Sequence, residues 1–330
     1  MKLLHRCIRP FTLVIFLITL LFSISYGAVH IPFADVVRVF LGSGNDTDQF
    51  IILSLRLPRI VEAAMAGAGL SIVGACLQAL LRNPMADPYV LGVSSGAAFG
   101  ATIAIILGLG LFQMSLSAFF FALVTIYMVY TFAKTGFKVS PTAMLLAGIA
   151  LSTFLTALIS LLMLLNHDEL SKIVFWTMGS FSLITWTQVY FSAPVILGGS
   201  LILYFFTRDI NVIMTGEEAA EHLGVDTEAV KKYVLLLSSL ITATIVSISG
   251  IIGFVGLIIP NISRLLVGPD NRILVPFSAL LGATFMVFTD TLARLILAPA
   301  EIPSGIITAA LGGPFFLYLL IKSKNKAESM

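Results

Sequence analysis

Apolar stretches long enough to cross a lipid bilayer recur along the chain, separated by short polar breaks. They fall at residues 11–29, 57–81, 90–109, 112–133, 141–165, 187–206, 233–249, 251–267, 274–297 and 305–321, a pattern that predicts about ten helices. A helix rises about 1.5 Å per residue, so about 20 residues cross a hydrocarbon layer of about 30 Å. The eighth stretch is short and is broken by Gly253, Gly256 and Pro260. No long alternating pattern suits a transmembrane β-barrel. The first stretch follows a basic start, MKLLHRCIRP, as the core of a signal peptide would, but its apolar run is too long for one and is expected to persist as the first helix. Gly92, Gly96 and Gly100 repeat at every fourth position, as do Gly67, Ser71 and Ala75. Such ridges let helix backbones approach closely in lipid.

Composition agrees with this pattern. Apolar residues make up 58% of the chain and charged residues 11%, with a mean hydropathy of +1.03. A soluble domain carries about 25% charged residues. The fold class is therefore an all-α polytopic membrane protein, read as one transmembrane domain over 1–330, with membrane lipid as its main surroundings. Basic residues set the orientation. With the N-terminus in the cytoplasm and ten alternating spans, Lys2, Arg6, Arg9, Arg82, Lys134, Lys138, Arg208, Lys231, Lys232, Arg264, Arg272, Lys322, Lys324 and Lys326 fall inside. Arg38, Arg56, Arg59, Lys172 and Arg294 fall outside. The bias puts both termini in the cytoplasm, with 1–10 and 322–330 as tails and 207–232 as a polar inner segment. The net charge of +2 is spread through loops and gives no basis for binding nucleic acid. Cys7 and Cys76 suit neither a disulfide framework nor a metal site.

One inner stretch stands apart. Residues 215–228, TGEEAAEHLGVDTE, hold Glu217, Glu218, Glu221, Asp226 and Glu228 out of 17 acidic residues in the chain. Thr215 followed by Glu218 matches a capping box, and Gly224 suits the left-handed position just past a helix end. The helix between them has about two turns, with Ala219, Ala220 and Leu223 on one side and Glu217 and Glu221 on the other. A helix so short is marginal in water and needs a surface to lie against.

The spacing E218-A219-A220-x-x-x-G224 resembles the EAA-x-x-x-G motif of ABC-importer permeases, whose short cytoplasmic helix docks on an ATPase subunit. The Pro-containing segment usual after that glycine is replaced here by Asp226, Thr227, Glu228 and then a membrane helix. The stretches LRLPRIVEAAMAGAGLSIVGACLQALLRNPMADPYVLGVSSGAAFGA (55–101), GIIGFVGLIIPNISRLLVGPDNR (250–272) and AEIPSGIITAALGGPFF (300–316) resemble the FecCD family, permeases for iron–siderophore, haem and cobalamin uptake. The resemblance runs from about residue 50 to 322. It implies a BtuC-like fold of ten helices per subunit and a second permease subunit, a homodimer copy or a paralogue, around a central path. It also implies ATP-binding-cassette ATPase subunits below and an external substrate-binding protein above. The setting implied is the cytoplasmic membrane of a bacterium or archaeon. By the same resemblance, Glu217, Glu218, Ala219, Ala220, Glu221, Leu223 and Gly224 form the ATPase-coupling helix, and Arg56, Arg59 and Arg294 meet glutamates of the binding protein.

Arg56, Arg59 and Arg294 also admit a plainer reading, interfacial snorkelling. Glu62, Asp290 and Arg294 lie within spans, and Asp290 and Arg294, four apart, are expected to pair. Arg82, Asn83, Pro84, Asp87 and Pro88 form a cytoplasmic turn in which the prolines stop the helix and Asn83 and Asp87 take turn or cap positions. That turn is expected to shape the inner vestibule or touch the ATPase. A weak echo relates it to PNISRLLVGPDNRILVP between the eighth and ninth spans. His167, Asp168 and Glu169 lack a further metal ligand. The chain has no G-x-x-x-x-G-K-[ST] phosphate loop and no G-x-S-x-G, H-E-x-x-H or C-x-x-C motif. It is thus expected to bind no cofactor, metal or catalytic group of its own, with ATP held by a partner. The expected cargo is an iron(III)–siderophore, with cobalamin or haem as alternatives. An ion-coupled secondary transporter would rest on Glu62 and Asp290, and an intramembrane enzyme lacks a nucleophile.

Overall fold

The computed structural model describes residues 2–135, 138–139 and 141–328. The basic side chains assigned to the tails, from Lys2 to Arg9 and from Lys322 to Lys326, lie outside the described side chains. Among the described residues, fifteen α-helices follow in order: α1 Lys2–Ser25, α2 Phe33–Phe40, α3 Asp46–Gln49, α4 Leu57–Leu80, α5 Val93–Ile106, α6 Leu111–Ala133, α7 Pro141–Leu165, α8 Leu170–Thr177, α9 Trp186–Phe205, α10 Thr207–Ile213, α11 Glu217–His222, α12 Thr227–Ser249, α13 Val255–Val267, α14 Asn271–Leu295 and α15 Ser304–Glu328. The predicted spans correspond to α1, α4, α5, α6, α7, α9, α12, α13, α14 and α15. Six described helical stretches are long and apolar enough to cross a bilayer, and Pro10–Ser25, Val93–Ile106, Val255–Val267 and Ser304–Tyr318 are shorter apolar helices. The described residues include one small antiparallel pair, Lys134–Thr135 with Lys138–Val139.

Several boundaries differ from the sequence reading, and two of them have a local cause. A π-helical stretch, Phe50–Arg56, joins α3 to α4, so the second span begins well before residue 57. Asn45 starts it by accepting the Asp48 amide at 2.6 Å, an N-cap that hydropathy does not register. The eighth span starts at Val255, because Gly250 at φ +70° ends α12 and Phe254 also takes a left-handed conformation.

Helix α4 is the axis of the bundle. In the stretch Asp46–Leu80, 83% of its most apolar window is buried, against 17% for the window in Ala143–Leu165 of α7. It packs on α9, α12, α13 and α14. Its small residues set the spacing. A Cβ on Gly74 would lie 1.9 Å from the Gly256 carbonyl oxygen, and one on Gly67 would lie 2.2 Å from that of Gly282. The ridge read from Gly67 and Ser71 is thus the contact with α14, and Gly96 and Gly100 seat α5 against Thr125 and Ser117 of α6. Helix α7, by contrast, leaves Leu146, Ile149, Phe154, Leu161 and Leu164 exposed for lipid or another subunit.

Polar residues collect at two ends of the bundle. One end joins 23–29 to Arg56, Arg59, Asp290, Arg294 and Glu301. The other joins Gln78, Arg82, Asn211, Lys231, Asn261 and Asp270. By the basic-residue bias these are the outer and inner ends.

The α4 contacts predict that Gly74→Ala lowers stability by about 1–3 kcal/mol, since the neighbouring backbone must move. Gly198→Ala, where nothing lies within 4 Å, is the control and is expected to leave the midpoint unchanged or slightly raised. Thermal unfolding in detergent reads both.

Candidate functional site

The inner segment is built on a buried base. In α10, Thr207, Ile210 and Ile213 are buried against α4 and α14. The chain then turns through Gly216, at φ +144°, into α11. The expected capping box does not form. Gly216 occupies the N-cap position, and the Thr215 hydroxyl donates to the Val212 carbonyl at 2.8 Å. Thr215 is one residue too early, because the extended turn at Gly216 separates it from the helix. Gly224, at φ +82°, ends α11 as read from the sequence.

The acids of this segment have internal partners. Lys231 of α12 donates to Glu217 at 2.6 Å and to Glu228 at 3.1 Å. Thr227 donates to Glu221 at 3.0 Å, and Asp226 caps α12 by accepting the Ala229 amide at 2.9 Å. Glu218 is exposed and makes no ion pair among the described residues. The predicted apolar face is also divided. Ala220 is buried beneath α11, whereas Ala219 is exposed and Leu223 is 72% exposed. A short helix thus presents Glu218, Ala219, His222 and Leu223 to the exterior while Glu217, Ala220 and Glu221 hold it down.

The turn at 82–88 abuts this segment. Arg82, at φ +48°, donates to the Ile213 carbonyl at 2.6 Å. Asn83 accepts the Met85 amide at 2.9 Å, and Asp87 caps the following 3₁₀ turn, Pro88–Leu91, through the Tyr89 amide at 2.8 Å. Asn261 of α13 donates to the Pro84 carbonyl at 2.9 Å, so the two joints with similar residues touch. A cleft of about 420 Å³ lies between Arg82, Tyr130 and Lys134 on one side and Glu217, Asp226 and Lys231 on the other.

At the outer end, the three arginines are buried within the chain. Arg56 and Arg59 are each 6% exposed and Arg294 is 3% exposed, so neither snorkelling nor an open basic surface describes them. Arg59 makes a forked pair with Asp290, Nε to Oδ2 at 2.9 Å and Nη2 to Oδ1 at 3.0 Å. Its Nη1 donates to Glu301 at 2.7 Å. Arg294 lies 3.5 Å from Asp290, the pairing expected from their spacing, and donates to the Ser23 hydroxyl at 2.6 Å. Arg56 donates to the carbonyls of Ile24, Ser25 and Val29. Ser304 completes the shell of Asp290 at 2.9 Å. Sequence spacing could not find the Arg59–Asp290 pair, whose members are 231 residues apart. Glu62 meets Ser192 of α9 at 2.6 Å, a buried contact between α4 and α9.

Two outcomes follow. Asp290→Asn leaves two buried guanidiniums short of a carboxylate and is expected to cost about 3–5 kcal/mol. Glu301→Gln, at a side chain that is 30% exposed, should cost no more than about 1 kcal/mol; thermal midpoints in detergent separate the two. Burial pushes the Asp87 carboxyl up to about 6, although the Tyr89 amide opposes it. The unfolded carboxyl titrates near about 4, so the folded chain binds more protons between these values and its stability falls as pH rises through them. Asp87→Asn keeps an acceptor for Tyr89 and should flatten that part of the midpoint-against-pH curve.

Comparison with known proteins agrees with this geometry. Residues 15–322 match the model of the FecCD transport family. The chain is 45% identical over 276 residues to the cobalamin import system permease protein BtuC of Halobacterium salinarum, covering 83% of this chain and 74% of that one. It is 34% identical over 328 residues to the hemin transport system permease protein HmuU of Yersinia pestis, covering 97% of both. A solved inward-facing structure assigned to the metal-chelate type of ABC transporter superposes with a TM-score of 0.84 at 37% identity, covering 94% of this chain and 97% of that one. With its helical bundle, its short exposed inner helix and this match over nearly its whole length, the chain belongs to the FecCD transport family, the multi-pass permease subunits of ABC importers.

Proposed function

We propose that this permease carries a metal chelate inward across the cytoplasmic membrane of its cell, driven by separate ATPase subunits that grip α11 and fed by an external binding protein. The observation that carries the reading is the outward face of α11. Leu223 is 72% exposed at the polar inner end, beside exposed Ala219, on a helix only 6 residues long. A helix of that length is unstable alone. Here its own chain fixes one side, and the free apolar side fits a groove on a partner. The absence of a phosphate loop in this sequence supports a separate source of ATP hydrolysis. A second copy of the chain or a paralogue would complete the path, facing the exposed side of α7.

The cargo to test first is an iron(III)–siderophore, beside cobalamin and haem, the last two being named for relatives of this chain. At the outer end, Arg59 is the arginine whose carboxylate partner reaches water, through Glu301. An acidic group of the binding protein would meet the permease there by exchanging with Glu301.

Reconstitution with candidate ATPase subunits in vesicles tests the proposal. Uptake of one of the three chelates should require ATP, and uptake driven by an ion gradient alone would reject the importer reading. Leu223→Asp should lower ATP-driven uptake about tenfold without moving the thermal midpoint, since the side chain is exposed within the permease and buried only at the partner. Unchanged uptake in that variant would remove α11 as the contact.

A further inference from the structure

Helix α11 is fastened to α12 by Lys231, but α12 is also its continuation in the chain. The anchor of α10 is less obvious and reaches further. The side chain of Asn211, on α10, donates to Asp270 Oδ1 at 2.7 Å. Its oxygen accepts the Asn271 backbone amide at 3.0 Å and the Asn271 side-chain amide at 2.8 Å. One amide therefore grips the start of α14 from both directions. We propose that Asn211 is the positioning residue that fastens the α10–α11 arm to the α13–α14 hairpin, so that movement of α11 is delivered to α14 and α4.

Three features support this assignment. Asp270 is the N-cap of α14, accepting the Arg272 amide at 3.1 Å, and its second oxygen pairs with the Arg272 guanidinium at 2.9 Å. The Arg272 hydrogen bonds, helped by Asn211, hold the Asp270 carboxyl down at about 2. The acceptor is therefore charged at any physiological pH, and a hydrogen bond to a charged group is stronger than a neutral one. Next, Arg82 at the end of α4 holds the Ile213 carbonyl at the end of α10. The arm is thus tied to the inner ends of α4 and α14 together. Finally, those two helices are joined again at their outer ends by Arg59 and Asp290. From Asp270 to Asp290 the helix rises about 30 Å. The ties form a closed frame, and α10 cannot swing away from α14 without breaking a charge-assisted bond. The backbone turn through Gly216 offers no comparable side-chain tie, since α11 has no side-chain N-cap.

The inference rests on the reading that ATPase subunits act on α11. It is tested in the whole assembly, in vesicles, with Asn211→Leu and Asn211→Asp. Leucine cannot form the bonds, and aspartate sets a second carboxylate beside Asp270. Both variants should still assemble and hydrolyse ATP at close to the native rate. Uptake per ATP should fall about tenfold, the upper range for a residue that carries coupling between sites. Unchanged uptake per ATP would overturn the inference. Loss of assembly in both variants would also overturn it, by making Asn211 a folding residue. A spectroscopic distance gives an independent check. Spin labels at Arg208→Cys on α10 and Leu265→Cys on α13, both exposed, in a Cys7→Ser background, read the gap that Asn211 closes. The separation should be the same with and without ATP in the native frame and should change on ATP binding in Asn211→Leu. A gap that changes equally in both would overturn the inference. No ATP-driven uptake by the native assembly would reject the coupling reading itself, and this inference with it.

Discussion

The close approach of α4 to its neighbours is the constraint on which the bundle depends. Between helices in lipid there is no hydrophobic drive of the kind that folds a soluble core, because the tails are as apolar as leucine. Association then falls to van der Waals contact and to polar groups that have no better partner. The glycines of α4 supply the first, bringing the backbones of α13 and α14 to within a bare contact. The Arg59–Asp290 pair supplies the second at the outer end of the same helix face. Neither works without the other. A side chain at Gly67 would separate the helices, and a forked pair at 2.9 and 3.0 Å tolerates little separation.

The inner end builds on that rigidity. Because α4 and α14 are fixed against each other, the groups at their inner ends, Arg82 and Asp270, keep a constant spacing. The polar segment that follows α10 can therefore be short and still hold a definite position. The acids that make it conspicuous in an oily chain are mostly internal fasteners, with Lys231 and Thr227 as their counterparts. The part offered outward is small and mixed, Ala219 and Leu223 beside Glu218 and His222.

This division explains what the sequence could and could not disclose. Apolar periodicity located the spans, because hydropathy is a sum over about 20 residues and survives local exceptions. The four-residue glycine ridges located close contacts, and the spacing of Asp290 and Arg294 located one ion pair, because both are features of a single helix. Gly224 marked the end of α11 for the same local reason. The rest needed the fold. The Thr215 capping signature was correct in letters and wrong in register, since Gly216 diverts the backbone. The partners of Arg59 and Asn211 lie 231 and 59 residues away, and no spacing rule points to them. The sequence placed the outer arginines at the ends of apolar runs but not their partners: Arg56 is wrapped by carbonyls of the last turn of α1 and of Val29, and Arg59 is held by Asp290.

That wrapping has a consequence for how the protein is made. The carbonyls at 24–29 gain their guanidinium only when Arg56 emerges from the ribosome, 32 residues after Ile24. The hydroxyl of Ser23 must wait for Arg294, 271 residues further on. Helix α1 is thus fastened in two steps, first at its last turn by Arg56 and much later at Ser23 by Arg294. The outer end closes only when the stretch that carries Asp290, Arg294 and Glu301 arrives.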